Sequence, residues 1–147
     1  MCGIIGVVSK KDVVSTIVDG LKRLEYRGYD SAGIATYSPV GIDRIRAVGK
    51  IRNLESAVSQ SFIKGTIGIG HTRWATHGVA NETNAHPHMT DTVAVVHNGI
   101  IENYSELIQQ FSIKLTDLQS DTDTEVVAHI LTHYICLLYT SPSPRDS

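Results

Sequence analysis

The chain has 147 residues, 41% of them apolar, and a formal charge of -2, which is enough chain to close one domain around a core. That near-neutral balance excludes a general attraction for nucleic acid or an anionic membrane, and no apolar run approaches the ~20 residues of a membrane-spanning helix. Cys2 and Cys136 form neither a C-x-x-C pair nor a disulfide framework. The N-terminus lacks the basic segment and long apolar stretch of a secretory signal, so a reducing, cytoplasmic setting is expected.

In chain order, residues 3–9 read as a strand. Asp12 is placed as the N-cap of a helix whose apolar positions Val14, Ile17, Val18, Leu21 and Leu24 recur at helical spacing, with Gly28 as its stop. Ser31 to Tyr37 reads as a second strand, and Pro39 and Gly41 turn the chain. Ile42 to Val48 mixes apolar residues with Arg44 and Arg46, as a half-exposed antiparallel strand does. Asn53 caps a short helix through Ser59, and Thr66 to Thr72 is strand-like. Thr76 to Asp91 is a long polar loop containing Pro87, and Thr92 to His97 is again a strand. A short helix over Asn103 to Phe111 and a weak strand over Lys114 to Leu118 follow. Thr122 and Glu125 have capping-box spacing ahead of a helix carrying Val126, Val127, Ile130, Leu131 and Tyr134. From Cys136 the helical pattern breaks, and the Ser/Pro-rich residues 139–147 have no apolar period. The expectation is a domain over 1–135 that stops inside its fold, then a disordered tail over 136–147.

Cys2, directly behind Met1, has an unusual chemical option. Removal of Met1 leaves a thiol and a free α-amino group on one residue. Such an amine titrates near ~7.7–8.0 and a free thiol near ~8.5, so the amine can accept the thiol proton without a histidine. Taken alone, Cys2 reads better as a small buried hydrophobe opening an edge strand, and the rest of the chain must decide.

Four polar clusters sit at the ends of the expected elements. Arg27-Gly28-Tyr29-Asp30-Ser31-Ala32-Gly33 is explained by a helix-to-strand turn alone. In His71-Thr72-Arg73-Trp74-Ala75-Thr76-His77-Gly78, Arg73 is either the two-pronged anchor of a substrate carboxylate with Trp74 as cover, or half of a structural ion pair. Asn98-Gly99 between apolar runs is a hairpin signal, and the same pair can aim an amide and an N–H at one point as an oxyanion hole. The acids of Ser120-Asp121-Thr122-Asp123-Thr124-Glu125 suit a helix start, and one of them can also meet an ammonium group. Among seven histidines, His86 and His88 alternate as a metal pair does, and His71, His77 and His97 are further candidates. No H-E-x-x-H or paired cysteines accompany them, so no metal site is expected.

Taken together these segments resemble the class II glutamine amidotransferases. The likeness rests on Cys2-Gly3-Ile4-Ile5-Gly6, Leu24 to Gly33, Gly70 to Gly78, Asn84-Ala85-His86-Pro87-His88, Val96 to Asn103 and Asp121 to Glu125, and it spans about Met1 to Tyr134. It points to the branch that makes glucosamine 6-phosphate from fructose 6-phosphate. The resemblance implies an α+β fold of the N-terminal-nucleophile hydrolase type, an αββα sandwich of two antiparallel sheets between helices, incomplete at the C-terminus. It implies that Cys2 attacks the side-chain amide of glutamine, and that Asn98 and Gly99 stabilise the oxyanion. Arg73 would hold the α-carboxylate and Asp123 the α-ammonium. Thr76 and His77 would line the pocket, Trp74 would sit in the loop closing over glutamine, and Arg27 would support the site. No cofactor is implied. Fructose 6-phosphate would bind on C-terminal sugar isomerase domains absent from this chain, and the longer protein would be a homo-oligomer. Two other readings stand beside it: an inactive or binding-only fragment of such a domain, and a histidine-ligated metal hydrolase.

Overall fold

The computed structural model describes residues 2–74 and 79–140. The expectations for Met1, Thr76, His77 and the segment 141–147 lie outside those residues. In chain order the elements are β1 (Gly3–Val8), α1 (Val14–Arg23), β2 (Ser31–Ser38), β3 (Gly41–Val48), α2 (Ile51–Ser61), β4 (Ile67–Arg73), β5 (His88–Met89), β6 (Ala94–Val95), α3 (Tyr104–Gln110) and α4 (Thr124–Thr140). β1 to β4 form one antiparallel sheet in the order β1-β4-β2-β3, and β5 pairs antiparallel with β6.

The apolar period of α1 decides which face of the large sheet becomes the core. Val13, Val14, Ile17, Val18 and Leu21 are buried against Ala32 and Ile34 of β2, Ala47 of β3, and Ile51 and Leu54 of α2. Fully burying a side chain of the Ile or Leu kind contributes about 1.5–3 kcal/mol, and Ile17, Leu21, Ile34, Ile51 and Leu54 are all under 2% exposed. Helix α1 lies close on β4 because the strand offers glycines there. A Cβ on Gly68 or Gly70 would sit 2.4 or 2.6 Å from Ile17 side-chain atoms. Strand alternation turns the neighbours of those glycines, His71 and Arg73, to the opposite face. On that second face lie the loop through His86, the small sheet, and α4, which packs on β5 and β6. Two antiparallel sheets thus lie between α1 and α2 on one side and α4 on the other, as expected.

Several local expectations are corrected. Asp12 does not cap α1, because its carboxylate accepts the Gly65 N–H at 2.9 Å instead. Helix α1 ends at Arg23, a 3-10 turn over Glu25–Arg27 follows, and Gly28 closes that turn with φ +76. Helix α2 starts at Ile51, and Asn53 Nδ2 reaches back to Val48 O at 2.9 Å. Leu115–Asp117 is a 3-10 turn rather than a strand, and the strand expected over 92–97 pairs only at Ala94–Val95. Thr122 and Glu125 do not form the reciprocal box. The Glu125 carboxylate accepts instead from the N–H groups of Gln119 and Ser120. Helix α4 continues to Thr140, so 136–140 is helical where a disordered tail was expected. No proline or glycine stops it before Pro142.

Candidate active site

Strand β1 brings Cys2 to the end of the large sheet beside the last residues of β4. Pairing of Gly3 with Thr72 fixes the register, and the Gly3 N–H donates to Thr72 Oγ1 at 3.0 Å. Where β4 ends, the Trp74 N–H donates to Cys2 Sγ at 3.2 Å, and the thiol in turn lies 3.7 Å from Trp74 O. Asn98 arrives from the other side, its Nδ2 donating to Cys2 O at 3.1 Å. The second residue of the chain is therefore tied down by two different segments, the end of β4 and the segment of Asn98.

Cys2 opens on a cavity of about 250 Å³ lined by Arg73, Trp74, His86, His97, Gly99, Ile100, Thr122, Asp123 and Thr124. Arg73 is only 3% exposed. Its Nη1 donates to Val79 O at 3.2 Å, a carbonyl that also accepts from Asn84 Nδ2 at 3.0 Å. Asp123 is 4% exposed and accepts two backbone N–H groups, from Ile101 at 2.5 Å and from Thr124 at 2.9 Å. A carboxylate has about four lone-pair directions, so Asp123 keeps capacity for a further donor. Cation and anion thus stand on one cavity, where an amino acid presents the opposite pair of charges.

Asn98 and Gly99 form no hairpin. Gly99 has φ +153, a conformation that L side chains rarely adopt, and a Cβ there would meet the His97 ring at 3.0 Å. The indole of Trp74 is 54% exposed and lies over Gly28, 3.7 Å from where a Cβ would be. Arg27 is half-buried in the 3-10 turn before Gly28 and does not line the cavity.

Residue types alone did not reveal that three histidine rings touch in a row at this cavity. The His71 and His86 rings are parallel within 14° with centroids 4.1 Å apart, and His86 meets His88 edge-on at 4.6 Å. His71 Nε2 faces His97 O at 3.1 Å and Asn98 Oδ1 at 2.9 Å, while His88 Nε2 pairs with Thr122 Oγ1 at 2.7 Å. Burial is the main cause that lowers the affinity of all three for protons, holding His71 down to about 4 and His88 to about 3, with His86 also well below the ordinary histidine range. Stacked faces do not converge their nitrogens on a point. Among the described residues no group of three or more His, Cys, Asp or Glu side chains is placed to share a metal ion. Nor, among them, is any helix long and apolar enough to cross a membrane.

A family model described as a glutamine amidotransferase domain matches residues 45–135. Among curated proteins, the chain is 59% identical over 134 residues to glutamine–fructose-6-phosphate aminotransferase (isomerizing) of Agrobacterium fabrum, covering 91% of this chain and 22% of that protein. The enzyme of the same name from Bartonella henselae is 56% identical over 147 residues, 100% of this chain and 24% of its own length. That match includes the segment 136–147, which the sequence pattern placed outside the likeness. The chain therefore spans about a quarter or less of these relatives. Among solved structures it resembles the glutamine phosphoribosylpyrophosphate amidotransferase of B. subtilis complexed with ADP and GMP, with TM-score 0.72, 27% identity, and coverage of 90% of this chain and 29% of that one. A structure described as the allosteric regulatory enzyme of purine biosynthesis superposes with TM-score 0.74 at 28% identity over the same shares. Together with the sheet arrangement, these neighbours show an α+β fold of the N-terminal-nucleophile type.

Proposed function

Since the chain belongs to the glutamine amidotransferase domain family, we propose that it hydrolyses the side-chain amide of glutamine with Cys2 as nucleophile, releasing ammonia. The observation that carries this reading is the placement of Cys2 Sγ on one cavity with Arg73, Gly99 and Asp123, with the Asn98 amide bonded to the backbone of the same cysteine. Arg73 takes the α-carboxylate of glutamine and Asp123 the α-ammonium, which leaves the side-chain amide directed at the sulfur. With Met1 removed, the α-amino group of Cys2 accepts the thiol proton. The sulfur adds to the amide carbon, and the negative charge that moves to the carbonyl oxygen is met by Asn98 Nδ2 and the Gly99 N–H. The α-ammonium returns its proton to the departing nitrogen. Ammonia leaves and a γ-glutamyl thioester remains, and water then attacks the thioester carbon to give glutamate and the free thiol. Trp74 belongs to the segment that covers the bound amino acid, and Arg27 supports the site. No step calls for a metal or an organic cofactor.

In the longer protein the ammonia would aminate fructose 6-phosphate to glucosamine 6-phosphate, as the name of the similar enzymes suggests, on further domains of a cytoplasmic homo-oligomer. Treatment with a glutamine-shaped diazoketone is expected to add one equivalent to Cys2 of a chain whose intact mass lacks Met1, and Cys2→Ala is expected to abolish both labelling and ammonia release. Label on Cys136 alone, or glutamine turnover by Cys2→Ala, would overturn the assignment.

A further inference from the structure

We propose that His71 is a positioning residue that sets which end of the Asn98 amide faces the nucleophile. This rests on the oxyanion role given to Asn98 above and adds the device that makes the role possible. An asparagine amide presents a donor at one end and an acceptor at the other, and only the donor end stabilises an oxyanion. Reversed, Asn98 would turn a carbonyl oxygen toward the developing negative charge.

The orientation follows from one backbone atom. His97 O is an acceptor that cannot be flipped, and it faces His71 Nε2 at 3.1 Å, so that nitrogen must carry the proton. The same N–H lies 2.9 Å from the Asn98 side chain, and the atom it meets there must also be an acceptor, Oδ1. Nδ2 is then directed away from the histidine, where it donates to Cys2 O at 3.1 Å. A flipped amide would set donor against donor at His71 and oxygen against oxygen at Cys2, so both ends agree on one arrangement.

Among the described residues nothing gives the ring an alternative. His71 is fully buried, and among those residues its Nδ1 has no hydrogen-bond partner, consistent with a bare lone pair there. One face lies against His86 at 4.1 Å, and His86 rests edge-on against His88. The bond from Nε2 also polarises the amide, which strengthens Nδ2 as a donor to the oxyanion.

The experiment compares His71→Phe and His71→Gln with the parent chain. Phenylalanine keeps a flat ring against His86 but has no donor, whereas the glutamine amide returns an N–H near the position of Nε2. For glutamine hydrolysis, kcat of His71→Phe is expected to fall about 10- to 100-fold, since a misaimed catalytic group costs on that order. KM should stay within about threefold, the fraction of Cys2 titrated by the diazoketone should be unchanged, and His71→Gln should recover most of the loss. Independently of turnover, long-range 15N–1H correlation on the parent chain is expected to show His71 as the Nε2–H tautomer. An Nδ1–H tautomer, a His71→Phe kcat equal to the parent's, a loss that tracks titratable Cys2, or His71→Gln no better than His71→Phe would each overturn the proposal. A parent chain whose Cys2 neither labels nor turns over refutes the glutaminase reading instead, and the tautomer measurement still decides His71.

Discussion

At the scale of the residue, the site is built from groups that each have a second partner in the protein. Arg73 is tied to Val79 O and Asp123 to two backbone N–H groups. Such ties fix direction before a ligand arrives, which lowers the ordering cost of binding. They also separate binding from chemistry, because Arg73 and Asp123 lie on the cavity wall while Asn98 bonds to the cysteine backbone. Arg73→Lys tests that separation. Lysine keeps the charge but loses the planar fork that matches a carboxylate. The expected result is a rise in KM for glutamine of about 10-fold or more, since removing a charge-assisted hydrogen bond costs about 1.5–3 kcal/mol, with kcat little changed. Steady-state kinetics of glutamate release decide it, and a fall in kcat at constant KM would place Arg73 in the chemical step instead.

At the scale of the element, the helices and the long strands were legible because their cores have a single period. Val14, Ile17, Val18 and Leu21 all face the sheet. The errors came where a distant partner outbid a local one. Asp12 answers Gly65, 53 residues away, and Arg44 and Arg46, read as the exposed side of a strand, lie half-buried and donate to the carbonyls of Pro87, Thr83 and Ala85. The histidine column was hidden for the same reason, since β4 and the loop over it meet only in the fold. What brings that loop so close is the bare backbone of Gly33, where a Cβ would sit 1.9 Å from His86 O. Gly33→Ala is therefore expected to destabilise the fold by about 2 kcal/mol or more, because backbone rather than a flexible side chain must move. Gly6→Ala is the control. A Cβ there meets nothing within 4 Å, so its effect should be neutral or stabilising by up to about 1 kcal/mol. Urea unfolding of the pair checks the contrast, and equal midpoints would show that the loop is not held on β2.

At the scale of the whole molecule, the consequence of burying three neutral histidines between two layers is a particular sensitivity to acid. A guanidinium charge is set against His71 by Arg73, and against His88 by Arg46, Arg44 and Arg73. These act in the same direction as burial. In the unfolded chain each ring accepts a proton near ~6.5, whereas in the fold His71 stays neutral down to about 4 and His88 to about 3. Between those limits the unfolded state binds more protons than the native one, so stability falls as the pH falls. It is fully present above ~6.5 and drains away through the window below it. Each such group contributes a slope of roughly 1.4 kcal/mol per pH unit, large against a typical stability of about 5–15 kcal/mol. Denaturant midpoints are therefore expected to drop steadily from pH 7 to pH 4.5. His88→Gln retains a polar partner for Thr122 Oγ1 while removing one titrating ring, and it should make that descent shallower by roughly a third if the three rings act alike. A variant whose midpoint falls as steeply as the parent's would show that His88 does not stay neutral in the fold, and the acid sensitivity would then come from the other titrating groups.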